Sequence, residues 1–426
     1  MNRILLFAIL ILSSASLFAQ DTIRFMHYNL LNYRNTTGQC TNSTNNADKK
    51  DGHLQTIVEH VVPDILTVNE MGANWLNPNK ILTNALNKNG RSFYDQAEFK
   101  NNSFSSLTNM LFFNSNKLEL YKQDVIAKSV NNVDLVRVID VYTLYVKNTA
   151  VTTGDTTFLT VFVAHLKAGS ASSDKEQRAD MTEAAMEFLK ANHSTSNYFF
   201  AGDFNIQTSS EKCYQNLIQN SETSIRFYDV KDAPGSWNNN SLYSNLHTQS
   251  THDGDSRGGC FSTGGMDDRF DIILCGNEVL KNTNGVKYID GSYKALGQDS
   301  RRFNGNILNP SSNIIPASVS NALYEMSDHL PVLMDVVAKD GSASVTNVKN
   351  NRLFVSHKED TWEVYLPKEN SQLQIAVYDL TGKKLVLDMQ DMEGKLVINH
   401  NSIPSGVYLI VAENANGNKY FQKVTK

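Results

Sequence analysis

The segment "YFFAGDFNIQ" (Tyr198–Gln207) begins as a strand and ends in polar groups. Tyr198, Phe199 and Phe200 are apolar at consecutive positions, which reads as a strand covered on both faces. Asp203 and Asn205 follow at once, and strands disfavour both residue types. A carboxylate at the end of a buried strand is costly unless it is paired or binds an ion. The same grammar recurs along the chain. "HYNL" puts Asn29 within an apolar run, "VNEM" puts Glu70 at the end of one, and "VAHLKAG" ends another with His165. "RFDIIL" carries Asp271, and "MSDHLPV" sets Asp328 and His329 just before a strand. Singly, a strand-end aspartate is more often a cap or turn residue than a ligand. As a set, strand ends converging on one sheet edge would gather Glu70, Asp203, Asn205 and Asp328 as hard oxygen ligands with two histidines beside them. That chemistry suits magnesium and phosphate esters.

From Ile23 to about Val337, strand-like runs alternate with a few helical ones: "IRFMHYNL", "DILTVNE", "LTNMLFFN", "VDLVRVIDVYTLYV", "TFLTVFVAHL", "YFFAGDF", "RFDIILC" and "HLPVLMDVV". A helix is expected after "HLKAGSASS", with Met181, Ala184, Ala185, Phe188 and Leu189 on one stripe and Ser173 with Glu176 as a capping box. A second is expected from Asp51, with Leu54, Ile57, Val58 and Val61 facing inward. Together they predict an α/β domain whose sheets are packed under helices.

The first nineteen residues stand apart: Arg3, an apolar run Ile4–Leu12, then small residues ending at Ala19, which reads as a cleaved export signal. Nine apolar residues are too few to cross about 30 Å of hydrocarbon, and no later segment reaches that length. Composition shifts at "AKDGSASVTNVKNN" (Ala338–Asn351), a linker-like stretch, and the remainder reads as a small β module that turns at Thr381-Gly382 and again in "NANGN". The expected division is therefore 1–19 signal, 20–339 catalytic domain, 340–351 linker and 352–426 β-domain.

With 39 basic and 44 acidic side chains, the net charge of −5 leaves no electrostatic footprint for tight nonspecific nucleic-acid binding. It leaves room for an enzyme that meets a polyanion through metal ions. Cys40, Cys213, Cys260 and Cys275 are too few for a disulfide scaffold and lack zinc-site spacing. One bridge is compatible with export, and the sequence does not choose the pair.

In the order "YNL", "NE", "AHL", "GDFN", "RFD", "SDH", residues 22–338 resemble the endonuclease/exonuclease/phosphatase superfamily, the fold of deoxyribonuclease I. The resemblance implies a four-layer sandwich of two mixed β-sheets flanked by helices and a divalent-metal phosphoesterase using Mg2+, with Mn2+ or Ca2+ as substitutes. It assigns Asn29, Glu70 and Asp328 to the metal and Asp203 to activation of the attacking water. Asn205 would hold a phosphate oxygen, and Asp271 would fix the imidazole of His329. His165 matches the second catalytic histidine of the deoxyribonuclease branch. Arg137 and Lys167 are candidate substrate contacts, Arg137 by matching position and Lys167 by flanking the His165 block. Arg137 reads equally well as a surface arginine on a hairpin.

Longer blocks such as "SWNNN", "HTQST" and "GGMDDRFDIIL" look like secreted bacterial nucleases or phosphatases. Lysine-rich inositol-phosphate loops and a Trp-rich apolar hairpin are both missing from the sequence, which favours a nucleic-acid phosphodiesterase over a phosphomonoesterase or a phospholipase C or sphingomyelinase type. A catalytically inactive surface binding module is the third alternative. Residues 352–426, with "AVYDLTGKKL", "IPSGVYLI" and a basic end, resemble the C-terminal sorting domain of type IX secretion substrates in Bacteroidetes. That resemblance implies an Ig-like β-sandwich, the type IX secretion machinery as partner, and passage through the periplasm to the cell surface or medium.

Overall fold

In this computed structural model, residues 21–100, 105–147, 156–338, 354–358, 360–365, 373–379, 383–392, 395–414 and 419–426 are described. The expected signal, the expected linker and the turns at Thr381-Gly382 and "NANGN" fall wholly or partly outside the described residues.

Ahead of the tail the strands are β1 (Asp21–Tyr33), β2 (Ile65–Gly72), β3 (Tyr94–Gln96), β4 (Leu107–Asn114), β5 (Leu118–Lys128), β6 (Asp134–Val146), β7 (Phe158–His165), β8 (Asn197–Asp203), β9 (Phe227–Tyr228), β10 (Asp271–Gly276), β11 (Val286–Tyr288), β12 (Lys294–Ala295) and β13 (Val332–Ala338). They form two mixed sheets. One runs β11-β13-β1-β2-β4-β3 with β12 beside β13, and the other runs β5-β6-β7-β8-β10-β9. Parallel pairs β1–β2 and β7–β8 sit in the middle of each, flanked by antiparallel neighbours.

Strand alternation explains why these segments are apolar throughout. In β8, Phe199 and Ala201 join the core that includes β1 and β2, whereas Tyr198 and Phe200 pack under the helix Ser172–Asn192 with Met181, Ala185 and Leu189. Phe25 of β1 meets Phe199 of β8 edge-on, with ring centroids 5.8 Å apart, so the two sheets lie face to face. Helices Ala47–Val61 and Ala317–Met326 cover the other side of the first sheet through Leu54, Ile57, Val58, Val319 and Leu323. The result is the expected helix–sheet–sheet–helix sandwich.

The same parity carries the inward face from apolar to polar. Phe199, Ala201 and Asp203 share one face of β8, as do Val161, Val163 and His165 on β7, and Cys275, Ile273 and Asp271 on β10. Gly202 permits this register: a Cβ there would stand 1.9 Å from the Ala164 carbonyl oxygen of the neighbouring strand.

Two local expectations are corrected. The helix Ala47–Val61 starts before Asp51, capped by Asn46, whose side chain accepts from the Lys49 N–H at 2.9 Å. The helix Ser172–Asn192 has Ala171 at its cap, and Asp174, not Glu176, reaches back to the Ala171 N–H at 3.2 Å. The segment "THDGDSRGG" (Thr251–Gly259) leads directly into a Cys40–Cys260 disulfide. Cys213 and Cys275 are free and buried.

In the tail, two further four-stranded sheets enclose Val355, Trp362, Val364, Val377, Ile398, Tyr408, Ile410 and Val424, an Ig-like sandwich. Among the described residues no helix is long and apolar enough to cross a membrane.

Candidate active site

The polar ends of five strands meet between the sheets. Register aligns His165 with Asp203 across β7 and β8, Asp271 with Asp203 across β10 and β8, and Asn29 with Asn69 across β1 and β2. Glu70 has φ 57° at a register shift in β2, and Asn205 has φ 52° just past β8. Both left-handed positions turn the chain where each strand must release its polar group, a conformation asparagine tolerates and glutamate rarely adopts.

Asn29 joins the acids. Its Nδ2 donates to Glu70 Oε1 and to Asp203 Oδ2, each at 3.0 Å, while its Oδ1 accepts from the Leu31 N–H at 2.9 Å. The amide is thus oriented by the backbone and holds two carboxylates. Asp203 is further fixed by Asn205 N–H on Oδ1 at 3.0 Å, and its own N–H donates to Asn69 Oδ1 at 2.9 Å. His165 Nε2 lies 3.5 Å from Asp203 Oδ2 and 3.8 Å from Glu70 Oε1. His329 Nδ1 is 2.7 Å from Asp271 Oδ2, and its Nε2 is 3.9 Å from Asp203 Oδ2 and 4.0 Å from Asp328 Oδ1.

These distances set the charges. Burial first, then Asp271 and Glu70, push the Asp203 carboxyl up to about 7, against the His329 charge and the Asn29 hydrogen bond. Burial would lower His329, yet Asp271, Asp203 and Asp328 hold it well above the ordinary histidine range, so it is an imidazolium at neutral pH. His165 goes the other way: burial, then Arg137, His329 and His27, keep it neutral. Two buried histidines in one pocket therefore carry opposite protonation states.

A divalent cation fits this pocket. Glu70, His165 and Asp203 each place one ligand atom within 4.8 Å of the others. Asp328 Oδ1 is buried without a hydrogen-bond partner among the described residues. The His329 imidazolium, with Arg137 and Lys50 at the margin, leaves the four carboxylates Glu70, Asp203, Asp271 and Asp328 short of neutral, and a hard cation would complete the balance.

Asn29, Glu70, His165, Asp203, Asn205, Asp271, Asp328 and His329 are thus brought together. Arg137 borders the same pocket: its Nη1 donates to the Leu166 carbonyl at 2.7 Å, and it lines a small cleft with Glu70 and His165. Lys167 instead pairs with Asp174 at 2.9 Å. Arg178, on the helix that follows the His165 block, is buried. It binds Glu211 at 2.6 Å and the Lys167 and Gly169 carbonyls at 2.7 Å, tying the His165 loop to the loop after Asp203. Arg302 is likewise buried and bonded to the carbonyls of Ile307 and Pro310.

Sequence reasoning missed the residues that brace these groups. Gln249 brings its side-chain amide 2.7 Å from His329 Nε2 and 3.4 Å from Asp328 Oδ2, and toward an imidazolium N–H it is the amide oxygen that accepts. Thr248 Oγ1 accepts from the Asp271 N–H at 3.1 Å, and Ser327 Oγ donates to the Asn29 carbonyl at 2.8 Å. "HTQST" contained the first two, but nothing local marks them as partners of residues 23 and 80 positions away.

Comparison with curated protein sequences gives no match. Residues 350–426 match the secretion system C-terminal sorting domain. The sorting domain directs export to the cell surface or beyond it. Solved structures similar to the chain include the human Nocturnin catalytic domain with bound sulfate, at 16% identity over 74% of this chain and 97% of that one, TM-score 0.46. An endonuclease/exonuclease/phosphatase from Bacteroides vulgatus follows at 15%, 75% and 100%, TM-score 0.47. Truncated TDP2 from Caenorhabditis elegans gives 16%, 74% and 98%, TM-score 0.45.

Proposed function

We propose that this protein is an exported, divalent-metal-dependent phosphodiesterase that hydrolyses nucleic acid. The observation that carries the reading is the His329–Asp271 pair at 2.7 Å, with His329 Nε2 3.9 Å from an Asp203 carboxyl that burial pushes up. A carboxylate tuned to neutral pH suits a base that takes a proton from water, and a fixed imidazolium beside it suits a phosphoryl oxygen. Asp203 accepts the proton of the attacking water, and Asn205 orients a non-bridging oxygen. Neutral His165 and Arg137 line the approach, with Arg137 offering a charge-assisted hydrogen bond to phosphate. Glu70 and Asp328 hold the cation, and Asn29 keeps the acids in place. When bound, the cation neutralises charge on the phosphate and on the departing oxygen.

Nucleic acid is favoured by Trp75, which is 66% exposed on the loop leaving the Glu70 strand and offers a flat face for base stacking. Incubation in magnesium with plasmid DNA, RNA, sphingomyelin and inositol phosphates tests the assignment. Plasmid or RNA cleavage is expected. Robust release from lipid or inositol phosphate without nucleic-acid cleavage contradicts it.

A further inference from the structure

The Cys40–Cys260 disulfide lies outside the convergent strand ends, yet it joins the two loops that steady their side chains. Leu31, Cys40, Cys260 and Phe261 form a small apolar cluster of their own. On one side, the same stretch of β1 orients Asn29 through the Leu31 N–H and donates the Asn32 N–H to Glu70 Oε2 at 2.9 Å. On the other side, Cys260 stands two residues before Ser262, whose N–H donates to Asp328 Oδ2 at 2.9 Å. The Ser262 carbonyl in turn accepts from Ser250 Oγ at 2.6 Å. Between Thr251 and the disulfide, residues 253–255, 258 and 259 are exposed, and three of the five are glycines. The loop is otherwise held at His252, which is buried and stacked on Tyr324, and at Arg257, which pairs with Glu325 at 2.8 Å, so Cys260 and Phe261 anchor its end nearest Ser262.

We propose that the disulfide is a positioning element for the cation site. By anchoring the loop that ends at Ser262, it keeps that N–H on Asp328 Oδ2 and so fixes the unpartnered Oδ1 beside His329 Nε2, 4.0 Å away. The inference rests on reading Glu70 and Asp328 as cation ligands. Its consequence is a hydrolase whose metal site is fully assembled only where cysteines are oxidised, after the chain has left a reducing compartment.

Calorimetric titration of Mn2+ into the full chain, oxidised and after phosphine reduction, tests it. In that reduction the phosphine takes the oxygen of one water to become its oxide, and Cys40 and Cys260 each gain a hydrogen as free thiols. Reduction is expected to weaken Mn2+ binding by about tenfold, the loss typical of removing a partner that orients a ligand, with an unchanged circular dichroism spectrum. Asp328→Asn should weaken the oxidised chain similarly. Reduction of that variant should add less than about twofold, because both changes act on one group. If the reduced chain unfolds, Ser262→Pro, which keeps the disulfide and removes the N–H, carries the same expected loss. Unchanged affinity in the folded reduced chain or in Ser262→Pro, or full additivity with Asp328→Asn, overturns the inference. An oxidised chain that does not bind Mn2+ overturns instead the metal reading on which it rests.

Discussion

The space between the two sheets has two unlike halves built from the same strands. In one half Phe25, Val161 and Phe199 close on each other; in the other, Asn29, His165 and Asp203 extend the same faces. His27 marks the border, neutral at a pKa lowered to about 4 by burial and set against Thr67 Oγ1 at 2.9 Å. The difference teaches that the apolar half supplies the rigidity with which the polar half holds like charges together. Acids that repel one another stay at hydrogen-bonding range only because their strands are fixed by packing elsewhere.

Breaking the polar half should have the largest effect. Asp203→Ala and His329→Ala should each lower kcat on bis(p-nitrophenyl) phosphate by roughly 10²–10⁴-fold with the fold retained by circular dichroism. Undiminished turnover in either variant removes its assigned role. Breaking the apolar half should act on stability instead. Phe199→Ala should cost about 3–5 kcal/mol in denaturant unfolding, with a smaller loss of kcat than either polar variant.

The halves also differ in their response to pH. Asp203 binds its proton more tightly folded than unfolded, so its contribution favours folding at acid pH and is lost as pH rises from about 4 toward about 7. Asp203→Asn, compared with the native chain in chelator, should therefore raise the melting temperature at pH 8 and leave it nearly unchanged at pH 4. Activity runs the opposite way, falling toward acid pH as the base becomes protonated. An equal Tm shift at both pH values contradicts this assignment. At the rim, Trp75→Ala should raise KM for nucleic acid by several-fold, in line with about 1–3 kcal/mol per stacked base, and spare the small aryl diester. Lys167→Ala should be the mildest, within about twofold on both substrates, because the side chain is spent on Asp174.

Alternation made much of this legible beforehand. Once Phe199 is known to face the other sheet, Asp203 must face it too, and the same counting places His165 and Asp271. Strand β5 escaped because its register against β6 shifts twice, which breaks a simple two-residue pattern. Arg178 escaped because its charge is cancelled by Glu211, 33 residues away, leaving a cation on a helix face with no local sign of burial. The disulfide escaped for the same reason: its partners are 220 residues apart, and four cysteines permit several pairings. Lys167 misled in the opposite direction, since it sits beside His165 in sequence but folds back across a single turn.

Steady-state hydrolysis of bis(p-nitrophenyl) phosphate by the exported chain, with Mg2+ and again with excess chelator, addresses the convergence of strand ends most directly. Turnover in magnesium that vanishes with the chelator and with Asp203→Asn is the expected result. Cleavage that persists through both would mean that the gathered acids do something other than hydrolysis.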